Sequence, residues 1–214
     1  MFAINDFNKI LVLGPHTDDG EFGCGATITK CVEAKKDVYY AIFSTCEDSV
    51  PEEFPKNILK SEALRSTAIL GIPKDHVIIL DFPVRKFPQY RQEILEELVI
   101  MRNALHPDLV ILPSNSDLHQ DHHTIATEGW RAFKSTSIIG YEVAWNNLSF
   151  TTHLFSCITE QHLQKKIEAL QAYKSQSFRS YSKESFIRSL AEVRGTQIDQ
   201  PLAESFEVIR WIIH

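Results

Sequence analysis

The residues best suited to chemistry stand in one short segment near the start of the chain. Residues 10–25 read ILVLGPHTDDGEFGCG, in which His16, Asp18, Asp19 and Glu21 follow a run of four apolar residues. Carboxylates this close repel one another and stay ionised only when a cation or strong hydrogen-bond donors compensate them. Neutral imidazole and carboxylate oxygen together suit zinc, so the segment predicts a divalent-metal site.

A second polar cluster of similar composition lies much further along the chain. The apolar run at residues 108–113 (DLVILP) ends at a proline, and SNSDLHQDHH follows it. The residues of this cluster that could bind a metal or move a proton are Asp117, His119, Asp121, His122 and His123. Two such clusters, each at the end of a predicted strand, indicate one site assembled from two distant parts of the chain.

Strands and helices alternate through the first two thirds of the sequence. Apolar and β-branched runs predict strands at 9–13, 37–44, 76–81 and 108–113, and amphipathic spacing predicts helices at 25–35, 56–70, 90–105 and 122–134. This alternation is typical of a parallel sheet with helices on both faces, and we predict an α/β, Rossmann-like three-layer sandwich. In that strand order the first and fourth strands are neighbours, and ligands bind beyond their carboxyl ends. Topology therefore predicts that the two clusters meet.

The last third of the sequence is less regular. We predict a strand at 137–143, a short extended segment within 146–155, helices at 160–172 and 183–193, and either a helix end or a final strand at 207–213. Thr159 is the predicted N-cap of the helix that follows it.

Composition and charge restrict the class of protein. The 214 residues are 43% hydrophobic and 23% charged, as in an ordinary globular chain, and we predict a single domain over residues 1–214. A net charge of -6 without a basic stripe argues against a nucleic-acid partner. We expect no membrane span, because no apolar run approaches about 18 residues. With no leader-like start and four dispersed cysteines, the expected location is the cytoplasm.

Two motifs carry a resemblance to a known family. Residues 16–21 (HTDDGE) and 119–122 (HQDH) resemble the motifs His-Pro-Asp-Asp-x-Glu and His-Pro-Asp-His of the LmbE-like (PIG-L) zinc-dependent N-deacetylases. Thr17 and Gln120 replace the two prolines, where neither position supplies a ligand or a proton, so we expect altered loop stiffness only. Weaker similarities extend from residue 9 to about residue 208, at EALRSTAILG (62–71), YKSQ (173–176), RG (194–195) and AESF (203–206). The resemblance implies an LmbE-like fold.

The resemblance also implies roles for the residues of the two motifs. The implied ligands of Zn²⁺, or of another divalent metal, are His16, Asp19 and His122. Three protein ligands leave the open position that a catalytic zinc requires. Asp18 is the implied general base, and His119 is implied to stabilise the oxyanion or to protonate the leaving amine. Asp121 is implied to orient a histidine from behind.

The reaction implied by the resemblance is hydrolysis of an amide. The expected substrate is a small molecule, an N-acetylated amino sugar such as N-acetylglucosamine or a glycoconjugate, which loses its acetyl group to metal-activated water. Homo-oligomer formation stays open. Two alternatives also stay open: a metal-dependent hydrolase of another amide or of an ester, and a catalytically idle member of the fold that binds metal or sugar.

Arg85, Arg91 and His123 each allow two interpretations. Arg85 and Arg91 flank a proline-containing segment after the third predicted strand, where they could contact an anionic substrate, although surface arginines are the commoner case. His123 is either a surface residue or a substitute ligand, and we favour the surface. The glycines at 20, 23 and 25 do not match G-x-G-x-x-G, and the neighbouring carboxylates would repel a pyrophosphate, so we reject a dinucleotide site.

Overall fold

The computed structural model describes residues 6–213 and centres on a seven-stranded sheet in the order β3-β2-β1-β4-β5-β7-β6. The strands are β1 (Lys9–Gly14), β2 (Asp37–Ile42), β3 (Val77–Ile79), β4 (Leu109–Pro113), β5 (Ser137–Tyr141), β6 (Leu154–Cys157) and β7 (Ala203–Arg210). Strands β1 to β5 are parallel, whereas β7 runs antiparallel to both β5 and β6. The predicted α/β class and mostly parallel sheet are confirmed.

Helices cover both faces of the sheet. They are α1 (Asp19–Glu33), α2 (Ile58–Ile69), α3 (Arg91–Leu105), α4 (Gln120–Ala132), α5 (Glu160–Gln171) and α6 (Glu184–Thr196). Successive side chains of a strand point to opposite faces, so β1 contributes to two cores. Ile10 and Val12 pack with residues of α1, α2 and α5, while Leu11 and Leu13 pack with residues of α3 and α4.

Strands β1 and β4 lie side by side at the centre of the sheet. Ile10 pairs with Leu109 and Val12 pairs with Ile111 in parallel register. The carboxyl ends of the two strands therefore open on the same edge of the sheet, next to each other. The predicted adjacency of the first and fourth strands is confirmed, and with it the positions from which the two polar clusters start.

Helix α1 begins at Asp19, six residues before the predicted start at residue 25. Glycine has a low helix propensity, so the glycine-rich stretch predicts a loop. At residue 23 the glycine is required by close packing instead, because a Cβ added there would lie 2.2 Å from the ring of Tyr141 on β5. The helix is not regular throughout, because Cys24 has φ −150° and ψ 23° and kinks it.

A buried ion pair lies at the kink in α1. The Glu204 carboxylate accepts hydrogen bonds from the backbone N–H groups of Ala26 at 3.1 Å and Thr27 at 2.7 Å. The Lys166 ammonium donates to the carbonyl oxygen of Phe22 at 2.6 Å and to Glu204 at 2.7 Å. The pair thus satisfies backbone donors and an acceptor on either side of the kink, as buried polar groups require.

The irregular last third contains the predicted elements with shifted bounds. Thr159 is the N-cap of α5, as predicted: its hydroxyl accepts from the His162 N–H at 3.3 Å, and His162 Nδ1 accepts in return at 3.1 Å. The segment predicted at 207–213 is a strand, but it starts earlier, as β7. No helix within residues 6–213 is long and apolar enough to cross a membrane.

Replacing Lys166 tests the structural role of the pair at the kink. We expect Lys166→Met to lower the free energy of unfolding by about 3–5 kcal/mol, because Glu204 would remain buried without its cation. The neighbouring Lys165 contacts Glu33 at 3.4 Å, and both side chains are exposed, so Lys165→Met should change stability by less than about 0.5 kcal/mol. Urea denaturation of both variants makes the comparison, and equal losses would contradict this account.

Candidate active site

The first cluster forms the turn between β1 and α1. The backbone N–H of His16 donates to Asp19 Oδ2 at 2.7 Å, so the turn closes on its own carboxylate. Thr17, which replaces a proline of the family motif, is buried in this turn. His16 and Asp18 are partly exposed, while Asp19 is buried at the start of the helix. The turn therefore presents two side chains to solvent and holds the third beneath them.

The buried carboxylate of Glu21 stabilises this turn through hydrogen bonds. Glu21 accepts hydrogen bonds from the hydroxyls of Tyr40 at 2.6 Å, Ser66 at 2.7 Å and Tyr173 at 2.8 Å. The Tyr173 hydroxyl also donates to the carbonyl oxygen of Thr17. Burial raises the pKa of Glu21 to about 7, although the three hydroxyls oppose that shift. The network ties the turn to helix α2 and to the segment after α5.

The second cluster begins helix α4. His119 is the N-cap residue: its Nδ1 accepts a hydrogen bond from the backbone N–H of Asp121 at 3.2 Å. Its own N–H donates to Asp117 Oδ1 at 2.8 Å. Because a backbone N–H can only donate, His119 Nδ1 carries a lone pair, and the proton of the neutral ring lies on Nε2.

Three side-chain atoms from the two clusters meet at one point. His16 Nδ1 lies 3.1 Å from Asp19 Oδ2, His122 Nε2 lies 3.2 Å from the same oxygen, and the two nitrogens are 3.3 Å apart. Donor atoms bound at 2.0–2.1 Å to a tetrahedral metal lie about 3.3 Å from one another. The donor set therefore fits a small divalent cation in both chemistry and spacing.

The outer nitrogens of the two imidazoles contact carboxylates. His16 Nε2 lies 3.0 Å from Asp121 Oδ2, and His122 Nδ1 lies 2.7 Å from Asp117 Oδ2. Both aspartates are buried. A histidine ligand commonly donates its second N–H to a carboxylate, which fixes the ring and its tautomer. Asp117 belongs to the cluster in the sequence, but its partnership with His122 was not predicted.

The same contacts show that the cluster attracts positive charge. Burial opposes protonation of His122, but Asp19 and Asp117 outweigh it and raise the pKa of His122 to about 10. Burial also opposes ionisation of Asp19, yet His122 holds the Asp19 pKa well below its usual range. For Asp18, burial and the charge of Asp19 raise the pKa to about 6. Burial lowers the pKa of His119, and His122 lowers it further.

The imidazoles of His16, His119 and His122 lie close enough together to hold a metal ion. Because His119 Nδ1 accepts from the Asp121 N–H and its Nε2 carries the proton, His119 has no free lone pair, and His16 and His122 are the imidazole ligands. Asp19 contributes a carboxylate oxygen in contact with two of these rings. The structure thus brings together every residue predicted as a metal ligand, and it places His119 beside them.

Residues of the two clusters line a cleft of about 320 Å³, a size that suits a small ligand. The last third of the chain also lines it, with Trp145, Asn146, Gln176, Arg179 and Tyr181. The Trp145 and Tyr181 rings are stacked with centroids 3.8 Å apart. Gln176 belongs to the YKSQ stretch (173–176) that resembles the family, but no periodicity or motif indicated Trp145, Asn146, Arg179 or Tyr181.

The structure also separates the residues whose interpretation was open. Arg85 lines the cleft, whereas Arg91 lies outside it and donates to Glu128 at 2.8 Å. His123 is exposed on α4, next to buried His122, which agrees with the favoured surface interpretation.

The sequence is similar to one protein family and to two deacetylases. The PIG-L family, described as GlcNAc-PI de-N-acetylase, matches residues 11–133, more than half of the chain. The chain is 28% identical to the uncharacterized deacetylase YaiS of Escherichia coli, over 81% of this chain and 94% of that protein. It is 30% identical to the diacetylchitobiose deacetylase of Thermococcus kodakarensis, over 64% of this chain and 52% of that protein.

Several solved structures share the fold of this chain. The N,N'-diacetylchitobiose deacetylase from Pyrococcus horikoshii has a TM-score of 0.80 and 22% identity, covering 95% of this chain and 84% of that one. GalB, the 4-carboxy-2-hydroxymuconate hydratase from Pseudomonas putida, has a TM-score of 0.77 and 17% identity, covering 96% and 98%. The fold therefore occurs with more than one reaction, and the family assignment depends on the sequence match. From the extent of that match, the chain belongs to the PIG-L (LmbE-like) family.

Proposed function

We propose that this protein is a metal-dependent hydrolase that removes the acetyl group from an N-acetylated amino sugar or glycoconjugate. The observation that carries the proposal is that His16 Nδ1, Asp19 Oδ2 and His122 Nε2 lie within 3.3 Å of one another, on residues that line a cleft. Family membership supports the reaction, and the named activity of the Thermococcus relative supports a sugar substrate.

His16, Asp19 and His122 would hold the metal, with Zn²⁺ as the preferred ion and another divalent ion as the alternative. When bound, such an ion lowers the pKa of a water ligand to about 7 and polarises the amide carbonyl. Asp121 and Asp117 act behind the ligands. Each fixes one imidazole through its outer nitrogen, at 3.0 Å and 2.7 Å, so the donor atoms are oriented before the ion arrives.

Asp18 is the proposed general base. Both aspartates line the cleft, but Asp18 is partly exposed, whereas the buried carboxylate of Asp19 contacts His16 and His122. Two adjacent aspartates can therefore take different roles: Asp19 compensates the charge of the cluster, and Asp18 remains available to accept the proton of the attacking water. General-base catalysis of this kind contributes about 10²–10⁴-fold to the rate.

His119 is the proposed partner of the developing oxyanion. Its Nδ1 is occupied by the N–H of Asp121 at 3.2 Å, so the neutral ring can offer only its Nε2–H to a substrate in the cleft. A fixed donor of this kind stabilises negative charge on the amide oxygen as the carbon becomes tetrahedral. The tautomer makes His119 a donor, in contrast to Asp18, which accepts.

The two alternatives differ from this proposal in measurable ways. A hydrolase of another amide or of an ester would use the same residues and would cleave that other substrate, but it would release no acetate from N-acetyl sugars. An idle metal- or sugar-binding member would show no turnover with any acyl substrate.

Two further expectations remain predictions. They are that residues 1–214 form one domain and that the protein is cytoplasmic.

Metal content provides the first test of the proposed ligands. Wild-type protein should contain about one zinc ion per chain, and His122→Ala should lose it because one of three protein ligands is removed. His123→Ala is the matched control, since His123 is exposed on the same helix, and it should keep the ion. Elemental analysis of the three proteins decides the question. Metal-free wild-type protein that is not stabilised by added zinc would contradict the proposed site.

Removing Asp18 separates catalysis from metal binding. Asp18→Asn should retain zinc and release acetate from N-acetylglucosamine or chitobiose substrates about 10²–10⁴-fold more slowly, because the proton acceptor is lost. Asp48→Asn changes an exposed aspartate and should leave the rate unchanged. Undiminished turnover by the Asp18 variant would eliminate its role as base.

Asp117 can be tested through the affinity of the site for metal. Asp117→Asn keeps the shape of the side chain but weakens its contact with His122 Nδ1, and we expect the affinity for zinc to fall about 10–100-fold. Asp108→Asn is the control. Asp108 accepts from the N–H groups of Asn8 and Lys9, each at 2.9 Å, at the opposite end of β4. Competition with a chelator measures both affinities, and equal values would show that Asp117 does not orient His122.

A further inference from the structure

Within residues 6–213, a guanidinium without a salt bridge lines the cleft. Arg179 lines the cleft and is half-buried. Its Nε donates to Gln176 Oε1 at 2.7 Å, and its Cζ lies 5.1 Å and 5.7 Å from the ring centroids of Phe178 and Tyr181. These contacts fix the orientation of the group. Among residues 6–213 its charge interacts with that of Asp18 without a direct salt bridge, so the guanidinium is positioned to pair with an anionic ligand.

The segment that carries Arg179 is anchored to the core. The buried Glu62 carboxylate accepts from the Ser175 N–H at 3.1 Å and from the Ser175 hydroxyl at 2.6 Å. Gln176, which holds Arg179, follows directly and is also buried. Because this support is rigid, ordering the arginine on ligand binding costs little conformational entropy.

A second arginine reaches the cleft from the β3 side. Arg85 has φ +65°, a conformation that non-glycine residues rarely adopt. Two hydrogen bonds hold it there: its N–H donates to Asp121 Oδ2 at 2.6 Å, and its carbonyl accepts from Gln120 Nε2 at 2.8 Å. Strained backbone of this kind concentrates at functional sites. The side chain is exposed and lines the cleft.

The carboxylates and guanidiniums that line the cleft balance one another before a metal binds. The acidic and basic lining residues, other than histidines, are Asp18, Asp19, Arg85 and Arg179. Once a divalent cation is bound, the two carboxylates are compensated by it, and the two guanidiniums remain in excess. A neutral sugar would leave that excess unpaired.

We infer that the substrate carries a carboxylate or a phosphate close to its acetamido sugar, and that Arg179 binds this group. The planar guanidinium can donate two parallel hydrogen bonds to either anion, and Arg85, which is exposed and lines the same cleft, supplies a second contact. This inference rests on the proposed function for the sugar and goes beyond it by naming the anionic substituent.

Calorimetry on the zinc-loaded protein tests the inference without requiring turnover. The ligands are N-acetylglucosamine, its 1-phosphate, its 6-phosphate and N-acetylmuramic acid, which separate phosphate from carboxylate recognition. At least one anionic sugar should bind about tenfold or more tightly than N-acetylglucosamine, as expected for hydrogen bonds to charged groups. R179Q should abolish that preference, and R179K should restore part of it.

R188Q is the matched control, because Arg188 pairs with Glu160 at 3.0 Å on the surface of α6. This variant should keep the full preference for the anionic ligand. Equal or undetectable binding of the neutral and anionic sugars, or a preference that survives R179Q, would overturn the inference.

Acetate release by the same proteins is measured separately, so the two conclusions can fail independently. Preferential binding that depends on Arg179, without acetate release, would retain the anion site and remove the deacetylase. Release from N-acetylglucosamine without any anionic preference would retain the deacetylase and remove the anion site.

Discussion

The contact between Asp19 and two imidazoles is the constraint on which the rest of the structure depends. A carboxylate oxygen 3.1 Å from His16 and 3.2 Å from His122 is stable in a buried position only with compensating charge and hydrogen bonds. The backbone N–H of His16 supplies one such bond. The remaining compensation comes from protons on the imidazoles or from a cation. The spacing of the three atoms matches the donor positions around a small divalent metal.

That contact requires two strands and a bent helix to end at the same place. Parallel pairing of β1 with β4 brings both polar turns to one edge of the sheet. The kink in α1 then allows its first turn, with Asp19, to lie over the strand ends while the remainder packs on α5. The Lys166–Glu204 pair supports the kink from β7 and α5. Residues far from the cleft thus position the carboxylate inside it.

Most of this arrangement was predictable because it depends on local patterns. Apolar runs identified β1 and β4, and the strand order then placed their following turns together. The start of α1 was not predictable from propensity, since Gly23 is explained only by the ring of Tyr141 from a distant strand. The pairing of Asp117 with His122 was not predicted, although the sequence places Asp117 in the same cluster and a histidine ligand needs a partner for its second nitrogen. Arg179 and Trp145 gave no sequence signal, because tertiary contacts alone bring them to the cleft.

The regular and the irregular parts of the chain contribute different residues to the cleft. The turns after β1 and β4 carry all the residues proposed for metal binding and proton transfer, and they are fixed by the parallel sheet. Other residues that line the cleft come from the segments after β5 and α5, and Glu62 helps to anchor the second of these segments through Ser175. A fold built this way can keep its reactive centre while those segments select the substrate. The arginine held by Gln176 is therefore where the identity of this protein's substrate is best sought.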